Sequence, residues 1–124
     1  MNEIYPSVKT ILIVEDDEAI GEFLTLSISQ ETPYRPLVVL DGFEALKVLR
    51  DLKPNLLLLD NRLPSMSGIE LYDQLHATKE LASIPTIITS ASNIEHEIGD
   101  RNVSILPKPF ELDDLLSMIT KILG

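Results

Sequence analysis

A parallel α/β fold with helices on both faces of one sheet is what this 124-residue sequence predicts. Three observations predict it. Short apolar runs of strand character alternate with segments of helical periodicity along the whole chain. The third run, Leu56–Leu59, is four consecutive leucines, and unbroken apolar character suits a strand buried on both faces. The links between elements are short, which favours adjacent strands joined by right-handed crossovers.

Taken in order, Val8 to Val14 is apolar and β-branched apart from Lys9 and Thr10, and stops at Glu15, Asp16, Asp17 and Glu18. Ile20, Phe23, Leu24 and Ile28 then recur at helical spacing, with Asp17 placed as an N-cap and the helix running to about Gln30. Pro33 and Pro36 punctuate the exit, and Leu37–Leu40 makes a second strand. Asp41 and Gly42 open a helix with Ala45, Leu46, Leu49 and Leu52 on one face, closed by Pro54. The leucine strand ends on Asp60. A loop with Pro64, Met66 and Gly68 leads to a helix whose stripe is Ile69, Tyr72 and Leu75. Thr86–Thr89 is the fourth strand, left through Ser90, Ala91 and Ser92. Asn93–Asn102 supports one or two helical turns at most, having only Ile94 and Ile98 as an apolar pair. Val103–Leu106 is a short fifth strand before Pro107, Lys108 and Pro109. Leu112, Leu115, Leu116, Ile119, Ile122 and Leu123 trace the last helix. A doubly wound sheet of five strands is expected in the flavodoxin-like order 2-1-3-4-5, with a short or irregular fourth helix.

The totals restrict the function. One domain, residues 1–124, is the economical reading of the length. Twenty acidic against ten basic residues leave a net charge of −10, which argues against nucleic acid or an anionic membrane as a direct partner. Without cysteine there is no disulfide framework or thiolate metal site, and a reducing cytoplasm is permitted. The start, MNEIYPSVKT, lacks the pattern of a secretory signal, and no apolar run reaches membrane-spanning length.

Chemistry gathers at the strand ends: Glu15 and Asp16 after the first, Asp60 after the third, Ser90 after the fourth and Lys108 after the fifth. In a parallel sheet these share one edge, where ligands bind. Each has a plainer reading: Asp60 as a turn residue, the acidic run as a solvated helix start, Ser90 as a hydroxyl bonded to nearby backbone, Lys108 as a surface cation. Together they form a site. Crowded carboxylates raise one another's pKa unless a cation sits among them, and Mg2+ is the natural one, with Asp16 and Asp60 as direct ligands. Asp60 would then be a phosphoryl-accepting nucleophile, and Lys108 and Ser90 would partner phosphoryl oxygens. His76 and His96 lie away from these ends and receive no role.

The stretches ILIVEDDEAI, LLLLDNRLPSMSG, IPTIITSAS and KPF stand in order at these strand ends, with a proline four and a glycine eight residues after Asp60. In them the chain resembles the receiver domain of bacterial two-component response regulators over nearly its whole length. The resemblance implies that Asp60 is the phosphoacceptor, that Glu15 and Asp16 form the metal pocket, and that Lys108 and Ser90 are the family's lysine and switch hydroxyl. It further implies Mg2+ binding through the backbone carbonyl of Arg62, a cis Lys108–Pro109 peptide, and a role for Arg62 and Ser92 in phosphoryl lifetime. The implied partners are a sensor histidine kinase or histidine phosphotransfer protein, an effector domain or output protein, and a phosphorylation-dependent dimer, in the cytoplasm. The implied catalysis is limited to the chain's own phosphorylation and dephosphorylation.

Two departures qualify the resemblance. Ile105 stands three residues before Lys108, where receivers usually carry an aromatic ring, and the Ser90 to Lys108 interval is about one helical turn shorter than usual. Both fall on the face used for output, so intact chemistry with altered transmission is expected. Two other functions stay open. A receiver-like interaction module independent of phosphate is motivated by these departures. A Mg2+-dependent phosphohydrolase shares the aspartate nucleophile, but haloacid-dehalogenase-type enzymes usually have a second aspartate where this chain has Arg62.

Overall fold

The computed structural model describes residues 8–124; the leader reading made above for MNEIYPSVKT lies, through Ser7, outside the described residues. Elements alternate as β1 (Thr10–Val14), α1 (Glu18–Glu31), β2 (Arg35–Val39), α2 (Gly42–Val48), β3 (Leu56–Asp60), α3 (Gly68–His76), β4 (Thr86–Ser90), α4 (Glu95–Ile98), β5 (Ser104–Pro107) and α5 (Leu112–Leu123). All four strand pairings are parallel and the order is 2-1-3-4-5, as expected.

The leucine run works on both faces because side chains alternate across a strand. Leu57 and Leu59 join Leu12, Val14, Leu71, Leu75 and Ile88 in one apolar cluster, whereas Leu56 and Leu58 join Ile11, Ile13, Leu24, Ile28, Leu115 and Ile119 in the other. Full burial of each leucine contributes roughly 1.5–3 kcal/mol, so this strand anchors both layers. Two bonds tie its start to β1: Asn55 N–H donates to Thr10 O at 2.8 Å, and Thr10 N–H donates to Asn55 Oδ1 at 2.8 Å.

Caps follow the predicted acids. The Asp17 carboxylate accepts from Ile20 N–H and that of Asp41 from Glu44 N–H, each satisfying an orphan donor of the helix start. Ser67 and Glu70 form a reciprocal capping box at α3.

Five expectations need correction. Strand β1 starts at Thr10, two residues later than expected, and Val8 is exposed. Strand β2 starts at Arg35 and takes in Pro36, which a marginal strand tolerates because one of its sides is unpaired. Helix α2 ends at Val48, six residues before Pro54, and turns through Leu49–Asp51 carry the chain onward. Ile20 and Phe23 do not share the buried stripe of α1; they are 40% and 54% exposed, while Gly21, Leu24, Ser27 and Ile28 face inward. The last strand runs one residue later than Val103–Leu106 and includes Pro107. The weak fourth helix is short, as expected: α4 has four residues and no side-chain N-cap.

Candidate functional site

Register brings the predicted groups to one edge. Asp60 pairs with Thr89, and Ser90 with Pro107; extending the Val14–Leu59 pair by one residue sets Glu15 level with Asp60. Lys108 N–H donates to Ser90 O at 2.8 Å, continuing the ladder past β5 and directing the lysine back over β4. Its Nζ lies 3.2 Å from Asp60 Oδ2, an ion pair with a buried carboxylate and a partly exposed ammonium. The other carboxylate oxygen, Asp60 Oδ1, accepts from Arg62 N–H at 3.0 Å. Asp60 is therefore both a turn residue and the centre of the cluster, and the two readings are compatible.

Each of Glu15, Asp16 and Asp60 offers a carboxylate oxygen, and the three lie within 4.8 Å of one another. Glu15 and Asp60 are buried and Asp16 is exposed. Burial pushes the Glu15 carboxyl up to about 7, and the charges of Asp60 and Asp16 add to this; the Asp17 N–H on Glu15 Oε2 and the charge of Lys108 act against it. Crowded oxygens with one ammonium for three carboxylates, one of them reluctant to ionise, suit a hard divalent cation. The donor set fits Mg2+.

The Ser90 hydroxyl stands at the same edge and makes the local bonds that its plainer reading describes. It donates to Ser92 O at 2.8 Å and accepts from Ser92 N–H at 3.2 Å, the local backbone pairing open to any serine at the end of a strand. Ser92 Oγ lies 3.4 Å from it. The Arg62 side chain is exposed, and its contact with Asp60 is through the backbone N–H. The Lys108–Pro109 peptide is cis. His76 packs flat on Tyr72 with ring centroids 3.7 Å apart, and His96 is exposed, so neither joins the cluster.

Three features escaped the sequence reading. Asn61, treated only as part of a loop, makes bonds at both ends of that loop. Gly68 is more than a turn residue, since a Cβ there would lie 2.9 Å from Asp60 O. A groove of about 610 Å³ runs from Ile20 and Phe23 past Asp60 and Lys108 to Phe110. The sequence carried no signal for it: Ile20, Leu24 and Ile28 stand at four-residue intervals on one helical ridge with Phe23 beside it, so spacing did not mark Ile20 and Phe23 as exposed.

The comparisons with known proteins agree with this geometry. The family model described as the response regulator receiver domain matches residues 11–120. The response regulator MprA of Mycobacterium ulcerans (strain Agy99) is 32% identical over 116 residues, spanning 91% of this chain and 49% of that protein. The chain thus covers about half the length of the curated relatives it matches. Among solved structures, the receiver domain of a signal transduction histidine kinase from Syntrophus aciditrophicus superposes with a TM-score of 0.83 at 26% identity, covering 94% of this chain and 90% of that one. The response regulator TrrA of Thermotoga maritima, solved in complex with Mg(2+)-BeF, gives 0.83 at 26% identity and covers 94% and 100%. With an acidic cluster at the carboxyl edge of a 2-1-3-4-5 sheet and a family match over nearly the whole chain, this protein belongs to the response regulator receiver domain family.

Proposed function

We propose that residues 1–124 act as one phosphoacceptor receiver domain: Asp60 takes a phosphoryl group from a phosphohistidine on a sensor kinase or phosphotransfer protein, and later loses it to water. The observation that carries this reading is the carboxylate cluster of Glu15, Asp16 and Asp60 with Lys108 ion-paired to Asp60. In transfer, a carboxylate oxygen of Asp60 forms the new P–O bond as the P–N bond to histidine breaks and its electron pair returns to the ring nitrogen. In hydrolysis, water attacks phosphorus, the Asp60 P–O bond breaks and phosphate leaves. Asp60 is both substrate and nucleophile, and the catalysis proposed is limited to its own phosphorylation and dephosphorylation.

Glu15, Asp16, Asp60 and the Arg62 carbonyl would hold Mg2+, which supplies positive charge to the phosphoryl oxygens when bound. Lys108, already at Asp60, would move with the new charge to a phosphoryl oxygen. Ser90 would exchange its bond to Ser92 O for a bond to another, so that the three equatorial oxygens each have a partner. The groove beside Asp60, with Ile20, Phe23 and Phe110 along it, is open to an apolar donor surface that delivers the phosphohistidine. No helix among the described residues is long and apolar enough to cross a membrane.

Intact mass after incubation with acetyl phosphate and Mg2+ tests the reading. Wild type should gain one phosphoryl group and Asp60→Asn none; labelling that persists in Asp60→Asn would refute it. A second reading, an interaction module that needs no phosphate, is favoured by the one-turn α4 and by Ile105. It wins if wild type fails to label and neither Mg2+ nor a phosphoryl mimic shifts its amide spectra.

A further inference from the structure

One residue holds the peptide after Asp60 in three directions. Asn61 N–H donates to Thr89 O at 2.9 Å, its carbonyl accepts from Gly68 N–H at 3.0 Å, and its side-chain Oδ1 accepts from Ile69 N–H at 3.2 Å. The last two bonds close residues 61–68 into a ring whose mouth is the start of α3. Within the ring, Arg62 N–H is bonded to Asp60 and Met66 N–H to Pro64 O, while Ser65 takes a positive φ of 71°. The mouth is tight, since a Cβ on Gly68 would also come within 3.0 Å of Asn61 Cα.

The side-chain bond has a specific electrostatic setting. Ile69 N–H is one of the donors that the first turn of α3 leaves without a partner inside the helix, and Ser67 already serves Glu70 N–H. Asn61 reaches across the ring to take this donor. It thereby ties the residue next to Asp60 to a rigid helix, and Arg62 lies one residue further along the tied segment.

We propose that Asn61 is a positioning residue for divalent-cation binding: its Oδ1 bond to Ile69 N–H holds the Asp60–Arg62 segment so that the Asp60 carboxylate and the Arg62 carbonyl are presented together. This rests on the reading of Asp60 as a Mg2+-dependent phosphoacceptor. A preorganised loop binds more tightly than one that must be ordered by its ligand, and groups that orient metal ligands typically change affinity by about 10–100-fold when removed.

The test uses the full chain with Asn61→Leu, which removes the acceptor at similar volume, and Asn61→Asp, which keeps it. Ile69 amide exchange is followed without metal, and Mg2+ Kd by calorimetry. In Asn61→Leu, Ile69 exchange should accelerate at least about tenfold and Mg2+ Kd rise about tenfold, with β1 amides still protected as in wild type. Asn61→Asp should keep Ile69 protected and bind Mg2+ no more weakly than wild type. Faster Ile69 exchange with unchanged Kd would reduce Asn61 to a structural staple and overturn the proposal, as would an unchanged Ile69 rate. If Asn61→Leu fails to fold, Asn61→Ala, at a half-buried position, carries the same two readouts. A wild type that binds no Mg2+ would overturn the phosphoacceptor reading itself, whereas wild-type binding and labelling with an unaffected Asn61→Leu would overturn this inference alone.

Discussion

The loops after β3 and β4 leave the sheet side by side and are built to different standards. The β3 loop, from Asn61 to Ser67, is tied at both ends by Asn61 and stops on a capping box. The β4 loop hangs its serine hydroxyl on its own backbone and leads to a one-turn helix with no side-chain N-cap. At its near end Asn93 Oδ1 accepts from Glu95 N–H, and at its far end Arg101 donates to Glu97 O and Ile98 O and makes a bidentate pair with Asp73 of α3 at 2.7 Å for both bonds. The difference is one of means: side-chain bonds from Asn61 fix the β3 loop beside Asp60, whereas the α4 turn rests on buried Ile94 and Ile98 and on a surface ion pair.

Lys108 is the cation that bridges the two regions, bonded to Ser90 O through its N–H and to Asp60 through Nζ. Lys108→Ala should slow acetyl-phosphate labelling by about 10²-fold, the usual effect of deleting a donor aimed at developing charge. Time-resolved intact mass checks this, and a wild-type rate would remove Lys108 from the mechanism.

A smaller effect sharpens the metal side. Because the Glu15 carboxyl is raised to about 7 from 4.5, the folded chain holds more protons than the unfolded one between these values. Metal-free stability should therefore fall as pH rises from about 4.5 to about 7, and Mg2+ affinity should rise over the upper part of that window. Urea melts with and without Mg2+ measure both trends, and Glu15→Gln should flatten them.

The smallest effect concerns the clamp. Arg101, through its hydrogen bonds, holds the Asp73 carboxyl below its ordinary value, so the pair's contribution is complete above about 3.8 and is lost as pH falls through the lowered value. The pair is at the surface, and Arg101→Gln should cost little global stability. It should nevertheless speed amide exchange across Glu95–Val103 while leaving β1 and β3 unchanged.

Much of this architecture was legible beforehand, for physical reasons. Strands buried on both faces must be apolar throughout, so Leu56–Leu59 declared itself, and a one-turn α4 was visible because Asn93–Asn102 has too few apolar residues to hold a longer helix. Pro36 was misread because proline is excluded only where its N–H is needed, and the unpaired side of β2 does not need it. Ile20 and Phe23 were misread because spacing alone does not tell a buried face from an apolar surface beside a site. Ser90 was assigned correctly to the edge, yet the bond it makes depends on the loop's path to Ser92.

The residue types that end each strand were readable from the chain, because local periodicity marks where each strand stops and parallel pairing sends every strand end to the same edge. The chain thereby named Glu15, Asp16, Asp60, Ser90 and Lys108 as neighbours. How they meet came from packing: Lys108 on Asp60, Ser90 turned to Ser92, Glu15 buried enough to resist ionisation, and Asn61 bonded to the start of α3. Strand ends follow from local periodicity. Hydrogen-bond partners, burial and charge crowding depend on distances that arise only when separate segments pack.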